Sequence, residues 1–192
     1  MSAPSTPERE RRAEQIRRAA IPVFATQGYR ATSMADLAEA AGVSRPTVYQ
    51  YFANRAELFR AAFQTVLEDA TDAALAALMA DGTVTERLDG YLQRLKADGY
   101  ETLAATPFGA ELMEARHEFA SDVAAAAFER ARSGLRAFIN SKSSVDADTR
   151  AVAIDLLILA PAGFDDDTPS SATYRRRLAA LATAAGLLLE TD

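Results

Sequence analysis

Apolar residues return every three to four positions along nearly the whole chain, and nowhere do they alternate strictly with polar ones. That spacing marks helices with one inward face, whereas a half-buried strand requires a period of two. The first such stretch opens at Thr6-Pro7-Glu8, since proline suits the first helical turn and glutamate the positive end of the helix dipole. Ile16, Ala19, Ala20, Val23 and Phe24 then share a face. Pro22 removes one backbone donor and predicts a local bend, and Gly28 predicts the end of the helix. Ser33 and Asp36 have the spacing of a capping box, with Leu37, Ala38 and Ala41 pointing inward behind them. Gly42 supplies a tight turn, Val43 plugs the core, and Ser44 caps a helix expected to reach about Phe52. Asn54 and Glu57 form another capping pair, opening a long helix from Arg55 to about Ala80. Its inward stripe is expected to be Leu58, Ala62, Phe63, Val66, Leu67, Leu75 and Leu78.

The same grammar continues. Gly82 stops the long helix, and Thr83 with Glu86 opens one to about Ala105. Thr106-Pro107 breaks the chain before a short helix through about His117. Ser121 and Asp122 begin another, to about Asn140. After a polar loop, Asp146 or Asp148 starts a helix ending near Ala162. The stretch GFDDDTPSS is a second loop, followed by a last helix at about residues 172–189. The prediction is an all-α fold of about nine helices, with residues 1–6 disordered. It divides into a helix-turn-helix domain at residues 7–53 and a helical domain at 54–192.

Composition narrows the classes. Hydrophobic residues are 49 % and charged residues 25 %, a globular balance. Cysteine is absent, which excludes disulfides, thiolate metal sites and cysteine nucleophiles. No apolar run approaches the ~20 residues of a membrane span, and the N-terminal segment lacks the apolar stretch of a secretory signal. A cytoplasmic protein without membrane attachment is expected. The net charge of −6 divides unevenly: residues 1–60 hold nine arginines against six carboxylates, +3, and the remainder carries −9. Phosphate binding needs a local positive face, which the N-terminal third supplies.

That third also carries the chemistry for reading a duplex. A short helix, a glycine turn and a second capped helix form the layout in which the second helix enters the major groove. Arg45, in its first turn, could bond a guanine edge with two hydrogen bonds, worth ~1–3 kcal/mol of discrimination. Pro46 and Thr47 offer apolar contact to a thymine methyl, and Gln50 could read adenine. Tyr49 and Tyr51 can each place a hydroxyl on phosphate, as can Thr32 and Ser33 from the first helix of the motif. The free N–H groups behind Ser44 can hold another phosphate.

Gly28-Tyr29, Thr32-Ser33, Leu37-Ala38, Ala41-Gly42-Val43-Ser44, Thr47-Val48-Tyr49, Tyr51-Phe52 and Glu57-Leu58 together resemble the N-terminal signature of TetR-type transcriptional regulators. The resemblance covers about residues 10–60. It implies a phosphate contact at Arg55, where the family usually has lysine three residues after the terminal aromatic. Tyr51 stands where the family often has histidine. It further implies a homodimer built from the last two helices, so that two heads meet spaced half-sites on a double-stranded DNA operator. Ile154, Leu157, Ile158 and Pro161 on one helix, and Leu178, Leu181, Ala182 and Ala185 on the other, are the candidate dimer residues. The middle helices would enclose a pocket for a small, largely apolar effector, with Leu95, Phe108, Met113, His117, Phe119 and Phe128 as candidate lining. The function implied is a repressor released from its operator by that ligand.

Enzymatic readings find little support. Glu114-x-x-His117 has the spacing of half a carboxylate-bridged di-iron site, but the chain has one histidine and cannot supply the other half. Asp165, Asp166 and Asp167 read as a solvated loop rather than a cation site. No nucleophile triad or phosphate loop is present, and no cofactor or metal is expected. A second reading stays open: a helical protein-interaction module with a degenerate DNA-binding head.

Overall fold

A computed structural model describes residues 6–142, 144–164 and 170–190. All regular structure among these residues is helical. The helices are α1 (Thr6–Ala31), α2 (Met34–Ala40), α3 (Arg45–Tyr49), α4 (Arg55–Met79), α5 (Val84–Leu92), α6 (Asp98–Ala104), α7 (Gly109–Phe119), α8 (Ser121–Asn140), α9 (Ala147–Leu159) and α10 (Ser171–Leu189). A π-helical turn, Gln93–Ala97, joins α5 to α6 without a break, and a 3-10 turn, Ala160–Phe164, extends α9. Counted as continuous rods, the described residues make the nine expected helices. The segment 1–5 and the triple aspartate Asp165, Asp166 and Asp167, for which a disordered end and a loop were expected, lie outside the described residues.

Local hydrogen bonds account for most boundaries. Ser33 accepts from the N–H groups of Ala35 and Asp36 while Asp36 accepts from Ser33, closing the box that opens α2. Thr83 and Glu86 do the same for α5. Ser44, Asp146 and Ser170 each cap a helix by accepting from the N–H three residues on. At the start of α4, Asn54 accepts from Glu57 N–H at 2.9 Å, and the Glu57 carboxylate accepts from Ala53 N–H at 2.6 Å. In α1 the backbone leaves helical angles at Gly28 (φ 77, ψ 170), and Pro22 sits inside the rod.

The helices sort into two units. The first comprises residues up to 68 together with 103–125. Ile16, Ala20 and Phe24 of α1, Leu37 of α2, Val48 of α3 and Leu58, Phe59 and Ala62 of α4 form its core, and Ala115 of α7 joins them. Phe59 stands edge-on to Phe24 at 5.1 Å and to Tyr29 at 5.2 Å, and Phe119 meets Tyr29 at 5.1 Å. Thr106 closes the same edge by donating to the Ala25 carbonyl at 2.6 Å. Thus α7 is part of the helix-turn-helix unit, where its position in the chain suggested the other half. Within α4 the inward line takes Thr65 and leaves Val66 38 % exposed. Thr65 meets its own polar need by donating to Ala61 O at 3.2 Å, so a hydroxyl rather than the expected valine goes inside.

Arg60 grips the Asp122 carboxylate with both ends of its guanidinium fork and also donates to Phe119 O. The fork holds the Asp122 carboxyl down at about 2, with backbone N–H groups at the start of α8 assisting. A carboxyl whose folded value lies below its unfolded one stabilises at pH above the unfolded value and loses that stability as pH falls through the folded one. Asp122→Asn is therefore expected to flatten the acid limb of the urea-unfolding profile between about pH 4 and pH 2. The change is small, because the pair is solvent-exposed. An unchanged limb would exclude this pair as a contributor.

The second unit holds residues 69–102 and those from 126 onward. Leu88, Tyr91 and Leu92 of α5, Leu135 and Ile139 of α8, and Leu178, Leu181, Ala182 and Ala185 of α10 make one continuous core. Gly186 lets α10 approach the Thr85 side chain and backbone of α5 closely. Tyr100 stacks on Tyr174 at 4.3 Å, and Arg175 pairs with both Asp98 and Glu101. No described helix is long and apolar enough to cross a membrane.

Candidate nucleic-acid interface and effector cavity

In α3 only Val48 is fully buried, and it ties the helix to the core. Ser44, Arg45, Pro46, Tyr49 and Gln50 are exposed, and Thr47 and Tyr51 are half-buried. The rod is stiffened locally. Ser44 Oγ accepts from Thr47 N–H at 3.2 Å and lies 2.7 Å from the Thr47 hydroxyl. Arg45 Nη2 donates to the Tyr49 hydroxyl at 3.3 Å, its guanidinium 5.6 Å from that ring's centre. An arginine leaning on an aromatic one turn away keeps its fork on the outer surface with little rotamer freedom to lose on binding.

The other expected contacts divide. Ser33 is exposed and caps α2. Thr32 is completely buried, and its hydroxyl donates to Gly28 O at 2.6 Å, so it corrects the expectation of a surface contact: its side chain fastens the turn between α1 and α2. Arg55 is half-buried. Its Nη1 donates to Arg30 O at 3.0 Å and Thr32 O at 2.7 Å, and its guanidinium lies 4.3 Å above the Tyr29 ring. It holds carbonyls that have no helical donor, a job for which a fork is suited and an ammonium is not. Arg9 was missed by sequence reasoning. Its Nη2 donates to Gln50 O at 3.0 Å and its guanidinium lies 5.0 Å from the Tyr51 ring, clamping the end of α3 to α1. A basic run such as ERERR carries no mark of which arginine folds back.

The candidate effector residues do not come together. Leu95 and Phe128 line a cavity of about 160 Å³ within the second unit. Phe108 packs beside Gly28 and Phe119 against Tyr29, both in the first unit, while Met113 and His117 are exposed. Glu114 pairs with Arg30 at 2.8 Å, and no cluster of metal-ligating side chains occurs among the described residues. The rest of the cavity wall went unrecognised in the sequence. Tyr91 and Leu92 of α5, Lys96 of the π turn, and Arg132 and Leu135 of α8 belong to it. So do Leu157 and Ile158, which the sequence placed on a dimer face. Burial pushes the Tyr91 phenol well up, against a smaller opposing influence from Arg132, so the hydroxyl keeps its proton.

Of the dimer candidates, Leu157, Pro161, Leu178, Leu181, Ala182 and Ala185 are buried in the chain's own core. Ile154 and Ile158 are half-buried. The large apolar side chains left at the surface of α9 and α10 are instead Val152, Leu159 at 66 % and Leu187 at 65 % exposure. The apolar stripes are wide enough that their inner edge closes the unit and their outer edge remains in solvent.

Residues 16–62 match the family model described as bacterial regulatory proteins, tetR family. The HTH-type transcriptional activator FasR of Mycolicibacterium smegmatis is 43 % identical over 56 residues, 29 % of this chain and 26 % of that protein. The HTH-type transcriptional repressor ComR of Escherichia coli is 45 % identical over 49 residues, 26 % of this chain and 23 % of that protein. These matches thus span about a quarter of each curated relative. Among solved structures, a TetR-family regulator of Mesorhizobium loti superposes with a TM-score of 0.63 at 22 % identity. That likeness covers 92 % of this chain and 96 % of the other, and it concerns the fold.

Proposed function

We propose that the chain is a transcriptional regulator of the tetR family, whose model residues 16–62 match, and that it is a cytoplasmic repressor that binds a double-stranded operator as a homodimer and leaves it when a small molecule fills the second unit. The observation that carries the DNA reading is α3 itself. One buried valine anchors a capped rod whose Arg45, Pro46, Tyr49 and Gln50 all face solvent. In this reading Arg45, Thr47 and Gln50 contact base edges. Ser33, Ser44, Tyr49 and Tyr51 contact phosphate, as do the donors of Arg55 not taken by carbonyls. In this reading residues 7–53 read DNA, the start of α4 and α7 brace them within the same unit, and the second unit serves effector and partner. Footprinting on DNA flanking the chain's own gene tests it. A protected, symmetric site overlapping the promoter is expected, and diffuse coating with a shallow salt dependence would favour the protein-interaction reading instead.

The homodimer is assigned to the outer edges of α9 and α10, where Val152, Leu159 and Leu187 are exposed. An isologous pairing buries each of these against its twofold mates. The double substitution Leu159→Glu, Leu187→Glu is expected to give a folded monomer by light scattering. It should also abolish tight operator binding, since one head alone reads one half-site. A dimer that survives it would place the interface elsewhere. For release, the cavity is the one that accommodates Leu95 and Phe128 of the expected lining. A ligand there changes operator affinity only as far as it binds the free and DNA-bound conformations differently.

A further inference from the structure

The walls of the cavity are chemically one-sided. Leu92, Leu95, Leu135 and Leu157 supply apolar surface. The polar side chains of the lining are Tyr91, Lys96 and Arg132, and no carboxylate lines the cavity among the described residues. The two cations can only donate, and the protonated Tyr91 hydroxyl has a proton to give. Tyr91 is 2 % exposed, and no hydrogen bond to its hydroxyl exists among the described residues. A hydroxyl bonded to no protein group is left for water or a ligand to satisfy. Glu129 stands 4.0 Å from Arg132, too far for a strong pair, and the Lys96 ammonium sits 4.6 Å from the centre of the Phe128 ring. The positive charge of Arg132 at the wall of a mainly apolar cavity favours an anion, by a margin that its 47 % exposure keeps moderate.

The backbone supplies an independent observation. The helix carrying Tyr91 does not run on as an α-helix past the cavity: it takes a π turn over Gln93–Ala97, with Asp98 N–H bonded to Gln93 O. One extra residue in a turn rotates the downstream helix by about 100°, and Leu95 and Lys96, both cavity residues, lie within that turn. Such insertions are less stable than regular helix and collect at sites that bind something. The volume sets the size. A cavity of roughly 150 Å³ accepts a benzene ring, and this one is about 160 Å³.

We propose that this cavity binds a small aromatic or branched-chain carboxylate, its hydrocarbon body against the leucines and its carboxylate between the Tyr91 hydroxyl and Arg132. The proposal rests on the ligand-released reading above and specifies the effector's class: one ring in size, singly anionic, an acceptor only.

Benzoate and benzamide, nearly equal in shape and differing in charge, are the probes. Calorimetric titration of the full chain is expected to show benzoate binding at least about tenfold tighter than benzamide. Arg132→Gln, at a side chain 47 % exposed and so tolerant of change, should bring that ratio close to one without moving the melting temperature. Tyr91→Phe should weaken benzoate about fivefold while leaving the melting temperature equal or higher, because it deletes a hydroxyl that has no protein partner. A destabilised Tyr91→Phe would show that the hydroxyl is bonded within the protein. Benzamide binding as well as benzoate, an Arg132→Gln protein with the original preference, or no binding of either probe would each overturn the proposal. Anisotropy of the footprinted DNA fragment separates this from the wider reading. Arg132-dependent benzoate binding that leaves DNA affinity unchanged would uphold the site and reject ligand release.

Discussion

Gly28→Ala is expected to cost the first unit about 2–6 kcal/mol and to abolish DNA binding at temperatures where the second unit remains folded. Two separate terms make up that figure. The backbone at Gly28 (φ 77, ψ 170) lies in a region essentially reserved for glycine, and forcing an L-residue there costs about 1–3 kcal/mol. A Cβ would also stand 2.8 Å from the Phe108 ring and 2.9 Å from Glu111 Oε1. Overpacking of that kind adds about 1–3 kcal/mol. The carboxylate cannot simply swing aside, because Glu111 accepts from Arg30 N–H at 2.5 Å. Gly28 O in turn accepts the Thr32 hydroxyl, so distortion spreads directly to the turn that sets α2 and α3. Gly42→Ala is the internal comparison. Its φ is 64, but a Cβ there meets nothing within 4 Å, so strain of about 1–2 kcal/mol is the whole cost. Urea unfolding followed by circular dichroism measures both. Equal losses at the two glycines would refute the steric half of the argument.

The same pair of glycines shows what the chain discloses on paper and what it hides. Gly42 sits between two capped helices, and its turn is readable because every partner is within a few residues. So are the caps: Ser33 with Asp36, Thr83 with Glu86 and Asp146 with Thr149 all bond across three positions, which a linear pattern displays. Thr32 and Arg55 are different. Nothing near Arg55 in sequence announces that its fork will hold carbonyls 25 and 23 positions back, and an exposed phosphate contact fits its spacing equally well. The cavity is harder still, since Tyr91, Arg132 and Leu157 come from three helices and the π turn has no residue signature. On α10 the period of the apolar stripe was legible, yet periodicity does not say how much of a wide stripe the chain's own core will use. Leu178, Leu181 and Ala182 went inside while Leu187 stayed out. Helical type, boundaries and the anchored face of α3 are local properties. Which side chains remain free for a ligand or partner is decided only when the units close.

That distinction separates the two arginines that bracket α3. Arg45→Ala is expected to weaken binding to the preferred operator by about 10- to 100-fold, the ~1–3 kcal/mol of a two-bond contact to guanine, and to leave binding to unrelated DNA within a few-fold. The loss should vanish on an operator mutated at the one base pair Arg45 reads, a double-substitution cycle that gel-shift titration can complete. Arg55 acts through the fold. Removing its fork strands the carbonyls of Arg30 and Thr32 and uncovers Tyr29, so Arg55→Ala should weaken all sequences alike and destabilise the first unit by about 1–3 kcal/mol. Arg55→Lys is the decisive variant, because it keeps the charge and discards the geometry. If positioning is the larger part, the lysine protein keeps the wild-type salt slope yet remains destabilised and weak on every sequence. The alanine protein flattens the slope by about 0.9 for the phosphate contact it can no longer make. Full recovery of stability and affinity by lysine would mean that charge alone matters at this position and that its hold on the α1–α2 turn is incidental.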